Sequence, residues 1–240
     1  MTHPHGPLGQ WTHRLRAWSR AGSGGDGLSG AFGHSLFEGD ELGHLRDVDL
    51  WFARWVQHRD GGLAAPPGGT GSVGGRSPPS RPTGVDCRLW AAAVDPSVDV
   101  GAIVDGPGPG GAGLGPRSAT DAGALVPQGL CKTLEVWTET ELAALHALRR
   151  LATIRHEPRW RDRALACARW HVENLQPDNA TNRPWAVHLF VELGVLGGVP
   201  ESELYAQTLL HNCVVSLGRP DRLSAAILLD AALALEDLAC

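Results

Sequence analysis

Two stretches decide the fold: residues 184–196, Pro-Trp-Ala-Val-His-Leu-Phe-Val-Glu-Leu-Gly-Val-Leu, and residues 223–235, Leu-Ser-Ala-Ala-Ile-Leu-Leu-Asp-Ala-Ala-Leu-Ala-Leu. Both are apolar almost all round at helical spacing. A helix without a polar face must be enclosed by other helices. A third candidate precedes them. Leu142, Leu145, Leu148 and Leu151 follow Thr138-Glu-Thr-Glu141, whose spacing reads as a capping box. Between these lie one-sided stripes. Ala164, Cys167, Ala168, His171 and Leu175 form one; Ala206, Leu209, Leu210, Cys213, Val214 and Leu217 form the other. Each stripe ends before a Pro-Asp pair, Pro177-Asp178 and Pro220-Asp221. There proline stops one helix and the acid favours the start of the next.

The order is inner, outer, inner, outer, inner. A shift of 42 residues puts these helices in register: Leu145 falls on Val187 and Leu229, Leu148 on Phe190 and Ala232, Leu151 on Leu193 and Leu235. The outer helices agree at the same shift, His171 with Cys213 and Leu175 with Leu217. Alternating burial at a fixed period predicts an all-α fold of stacked αα-hairpins over residues 131–240.

The segments Trp137-Thr-Glu-Thr-Glu-Leu, Leu175-Gln-Pro-Asp-Asn-Ala-Thr-Asn-Arg-Pro-Trp and Leu217-Gly-Arg-Pro-Asp-Arg-Leu-Ser carry a resemblance. The pattern resembles the α/α-toroid superfamily of six-hairpin glycosidases and terpenoid-cyclase-like proteins, over residues 131–240 only. Six hairpins of this period would need about 250 residues, more than the whole chain of 240. The expected architecture is therefore αα-hairpin repeats forming an incomplete toroid or arc. An open arc leaves apolar ends, which predicts a homodimer or another protein partner at the open end, or a capping role for residues 10–58.

Working outward, composition changes sharply. Of 31 Gly, 27 lie at or before Gly129. Residues 61–84 and 106–116 are Gly/Pro-rich and lack the apolar groups that offset ordering entropy. They read as linkers. The run at 106–116 lacks the Gly-Lys-Ser/Thr ending of a phosphate loop. Short amphipathic helices are expected at 10–20, from Trp11, Leu15 and Trp18, and at 40–58, from Leu42, Leu45, Val48, Phe52 and Trp55. Residues 87–94 and 98–104 suit a strand or a helix equally. The expected organisation is helices docking on the core (1–60), a Gly/Pro-rich linker holding short ordered segments (61–130) and the repeat domain (131–240). Trp11, Trp18, Trp51, Trp55 and Trp90 are expected to anchor the first part on the last.

A net charge of −5 disfavours nucleic acid and anionic membrane as partners. No apolar run reaches the roughly 18 residues of a transmembrane helix. The residues after Met1 do not read as a secretory signal, and none of the 5 Cys forms a C-x-x-C pair. A cytoplasmic, reduced setting is the expectation, with no cofactor.

Candidate chemistry has two places. His146, His188 and Asp230 are equivalent at the 42-residue shift. Two His and one Asp suit a metal, but helix axes about 8–10 Å apart would put the first and third about 16–20 Å apart. The set is expected to be a buried polar ladder in which neighbours hydrogen-bond, with no metal. Glu192, one turn from His188, could pair with it. The second place is the rim at the inner-helix N-termini, where toroid enzymes, by resemblance, open their pocket. Candidate catalytic groups are Glu139, Glu141 and Asp178 with His188. Candidate binding groups are Trp137, Asn179, Asn182, Trp185, Asp221 and Arg222. Carboxylates beside Trp faces suit a carbohydrate ligand, and paired acids divide acid and base roles. The competing local explanation is that Glu141 closes the capping box and Asp178 and Asp221 serve helix starts. The first functional expectation is a non-catalytic helical-repeat scaffold or protein-interaction module. The alternative is a carbohydrate-active enzyme of hydrolase or lyase type.

Overall fold

A computed structural model describes residues 6–23, 48–53, 55–56, 84–104, 123–126, 131–175, 181–215 and 218–239. Every regular element among them is a helix: α1 (Pro7–Ser23), α2 (Val85–Val94), α3 (Gly101–Val104), α4 (Leu134–Ile154), α5 (Pro158–Asn174), α6 (Val187–Val195), α7 (Pro200–Val215) and α8 (Arg222–Ala239). Residues 48–53 and 55–56 are helical as well. The all-α expectation holds. The ambiguous stretches at 87–94 and 98–104 lie in α2 and around the single turn of α3. Of the linker read at 61–84 only Gly84 is described, and the linker at 106–116, together with Asp178, Asn179 and Cys240, lies outside the described residues.

Burial alternates along α4–α7. All residues of α6 from Val187 through Gly194 are buried. In α4 burial runs almost unbroken from Trp137 to Leu148. The intervening α5 buries one face only, Trp160, Arg163, Ala164, Cys167, Ala168 and His171. α7 likewise buries Tyr205, Ala206, Leu209 and Leu210 and exposes Leu204 and Val215. Burial pushes the Cys213 thiol up to about 12, which makes it an unreactive core group.

The start of α4 corrects the capping-box reading. Thr133 is the N-cap, its side chain accepting the Val136 amide at 3.3 Å. Thr138 and Thr140 sit inside the helix and donate to the carbonyls of Leu134 and Val136 at 2.8 and 2.7 Å. Glu141 is thus about two turns in and free to bond elsewhere. At α8 the expectation from the acid is met: Asp221 Oδ1 accepts the Ser224 amide at 2.8 Å, an N-cap bond.

α4 packs on α5, α5 on α6, and α6 on both α7 and α8. α2 lies along α4, and α1 lies along α8 in the most extensive helix pairing. The first and last inner helices are therefore covered by elements of the N-terminal half rather than left bare. Close approach requires small residues. A Cβ on Gly22 would stand 2.7 Å from Ala225 Cβ and 2.8 Å from the Pro220 carbonyl. Arg16 adds a two-pronged pair to Glu236, with both bonds at 2.7 Å, and Trp11 Nε1 donates to Glu203 at 3.0 Å. Phe52, Trp90 and Trp185 meet with ring centroids 5.0–5.9 Å apart. Each buried Trp removes about 150–250 Å² from water, which at ~25 cal/mol per Å² contributes at most about 4–6 kcal/mol. That term anchors the early segments on the core.

Candidate functional site

Two buried polar centres hold the candidate residues. The first lies where α4, α5 and residues 123–126 meet. Glu141 is fully buried, and its two oxygens accept the amides of Leu125 and Val126 at 2.8 and 2.6 Å. Trp137 Nε1 donates to the Val126 carbonyl at 2.9 Å, and the Cys167 thiol donates to the Gly123 carbonyl at 3.1 Å. His171 stacks on Trp137 with 5.8 Å between ring centroids and stands 3.7 Å from Glu141. Here a carboxylate spends both oxygens on backbone amides, and the segment is pinned to two helices. In a water-free setting such bonds are costly to leave unmade. Each Glu141 oxygen serves a backbone amide, and with the carboxylate fully buried it is not placed to meet a substrate.

Among the described residues the other rim candidates show no shared contact. Glu139 is partly exposed and Asn182 is exposed. Trp137 and Trp185 are at most 1% exposed, so neither offers a face to a sugar ring. That corrects their reading as binding platforms: apolar packing at the helix starts takes the indoles inward. Asp221 is occupied by its cap bond and by an ion pair with Arg183. Burial pushes the Asp221 carboxyl up, but bonds from Arg183 and the Ser224 amide outweigh it and hold it below the usual range. Arg222 is half-buried on the first turn of α8.

The second centre gathers His146, His188 and Asp230. His146 Nε2 lies 2.8 Å from Asp230 Oδ2, and its Nδ1 accepts the Ala186 amide at 3.1 Å. The ring proton therefore sits on Nε2 and is donated to Asp230. This contact overturns the separation of about 16–20 Å expected from a flat row of helices. The first and third inner helices do not pack closely on each other, yet their long polar side chains reach across to meet. Ala186 holds a left-handed φ of 56° at the start of α6, a strained conformation for a non-glycine residue. The His146 bond helps to fix it there.

His188 packs edge-on against His146, with 4.5 Å between centroids. Burial, reinforced by His146, Arg149 and Arg150, holds its pKa well below the ordinary value. The expected His188–Glu192 pair is not made. Glu192 is taken by Arg161 Nε at 2.6 Å and approached by Arg149 Nε at 3.5 Å. Arg150 bonds Asp49 at 3.0 and 3.2 Å and lies 3.9 Å from Asp230. Burial lifts the Asp49 carboxyl above its usual value despite Arg150. Sequence reasoning missed these arginines. Their signal was Arg149-Arg150 on a helix otherwise apolar at that end.

His146, Arg149, Arg150, His188, Asp230 and Asp237 line a cleft of about 90 Å³. Among the described residues no group of three or more His, Cys, Asp or Glu is placed to hold a metal ion. No described helix is long and apolar enough to cross a membrane. No protein-family model, no curated protein and no solved structure matches the chain.

Proposed function

We propose that the chain is a helical-repeat scaffold, a protein-interaction module of the cytoplasm with no catalytic activity of its own. On this reading the inner and outer helices form αα-hairpin repeats in part of an α/α toroid, and α1 and α2 take the place of missing hairpins. One observation carries the proposal: the described acids best placed for catalysis are spent on the fold. Glu141 gives both oxygens to the Leu125 and Val126 amides, and Asp221 caps α8. A carbohydrate-active enzyme would need two carboxylates free to reach one bond. With α4 and α8 covered, the partner surface falls on the outer face of α7, where Leu204 and Val215 are 63% and 60% exposed.

Sedimentation velocity on the full chain, alone and with a carbohydrate panel, tests the proposal. The expected result is concentration-dependent association that Leu204→Glu weakens, with no glycan turnover. A strict monomer that cleaves a glycan, with cleavage lost in Glu141→Gln, would overturn it.

A further inference from the structure

Each centre holds a buried histidine without a hydrogen-bond partner among the described residues, His171 in the first and His188 in the second, but only His188 borders a cleft. His188 is 2% exposed, borders the cleft, and has a buried Nδ1 without a hydrogen-bond partner among the described residues. Buried polar atoms are nearly always satisfied, so an unpaired one beside a cleft marks where a ligand or water binds. Arg149 brings a second donor to the same cleft. Its Nε is 3.5 Å from Glu192 and its Nη1 donates to Thr153 at 2.7 Å, which leaves Nη2 without a described partner. Glu192 is shared with Arg161, so positive charge is in excess on that wall. Across the cleft α8 presents Asp230, Glu236 and Asp237. Glu236 is neutralised by Arg16, whereas Asp237 is exposed and makes no hydrogen bond or ion pair to a described residue.

The lining thus offers a guanidinium donor from α4, an exposed carboxylate from α8 that also acts on Arg150 by charge, and an imidazole from α6 whose Nδ1 has no described partner. A simple anion would meet Asp237, and a simple cation would meet Arg149. A ligand carrying both charges satisfies both walls. Size narrows it further: about 90 Å³ is well below the roughly 150 Å³ of a cavity that holds benzene, so the ligand has only a few non-hydrogen atoms. We propose that this cleft binds a small zwitterion, an α-amino acid of the size of glycine or alanine. Its carboxylate lies on Arg149 and the His188 imidazole, and its ammonium lies towards Asp237. Charge-assisted bonds at both ends set its orientation. The site adds a small-molecule input to the proposed scaffold and is independent of the α7 face.

Calorimetric titration of the full chain with glycine, alanine, acetate, ethylammonium and leucine tests this. Saturable binding of glycine and alanine at one site per chain is expected, with acetate and ethylammonium weaker by about tenfold or more. Asp237→Asn, at an exposed position and checked for retained helicity, should weaken glycine about tenfold and strengthen acetate, whose charge Asp237 repels. His188→Gln, checked for retained helicity, should weaken both. Acetate binding as tightly as glycine, leucine binding as tightly as alanine, an Asp237→Asn variant that binds glycine normally, or no saturable binding at all would each overturn the proposal.

Discussion

The two buried centres sit on the same helix, α4, and differ in how their carboxylates are used and in access, since a cleft reaches only the second. Around Glu141 both carboxylate oxygens are matched by amides at 2.6–2.8 Å, and the surrounding residues 123–126 are held by Trp137 and Cys167. Around His188 the partner list stops short. His146 is satisfied on both ring nitrogens, Asp230 and Arg150 are engaged, yet the buried His188 Nδ1 is left over beside a cleft. The lesson is that a buried charge is not in itself a functional signal. A carboxylate whose acceptor sites are filled by the chain's own backbone is part of the fold. A ring short of a partner marks a place to bind something only where a cleft reaches it, as at His188 and not at the enclosed His171.

The contrast can be broken at several points. The largest effect should come from Glu141→Ala, which orphans two buried amides. A loss of about 3–5 kcal/mol is expected in urea unfolding. Asp230→Ala comes next. It strips His146 of its carboxylate while Arg150 keeps Asp49, and about 2–4 kcal/mol should be lost. The comparison sharpens with pH. His188 has its pKa depressed in the folded state, so it is neutral in both states above the unfolded value near 6.5. Its stabilising contribution is complete there and falls as pH drops below that value, because the unfolded chain takes up the proton first. The cost is roughly 1.4 kcal/mol over the first pH unit below that value. Thermal melts should show this slope in the wild type and a flatter one in His188→Gln. The smallest effect is expected from Asp221→Ala, about 1 kcal/mol for a lost cap, or a melting temperature lower by roughly 2–4 °C.

Much of the helical frame was legible in the sequence because period and burial are local properties. The unbroken apolar run at 184–196 could only be an enclosed helix, and the helix at Val187–Val195 is enclosed. The equivalence of His146, His188 and Asp230 was legible too, because it depends only on spacing. What lay beyond the sequence was tertiary. The spacing of Thr138 and Glu141 imitated a capping box, but the true cap at Thr133 lies one turn earlier, and spacing alone does not tell where the first turn begins. The partners of Glu141 are backbone amides of Leu125 and Val126, and no side-chain pattern announces an amide. The 2.8 Å His146–Asp230 contact depended on how the inner helices gather, which a row of average helix spacings misstates. The roles of Arg149 and Arg161 were hidden for the same reason, since both are defined by Glu192 on another helix.

The central claim, that Glu141 is spent on structure and not on chemistry, has a direct test in the near-isosteric variant Glu141→Gln. An amide keeps one acceptor and turns a second donor towards an amide N–H. The account predicts that the variant loses about 2–3 kcal/mol of unfolding free energy in urea, approaching the loss in Glu141→Ala. A Glu141→Gln protein as stable as the wild type would contradict it.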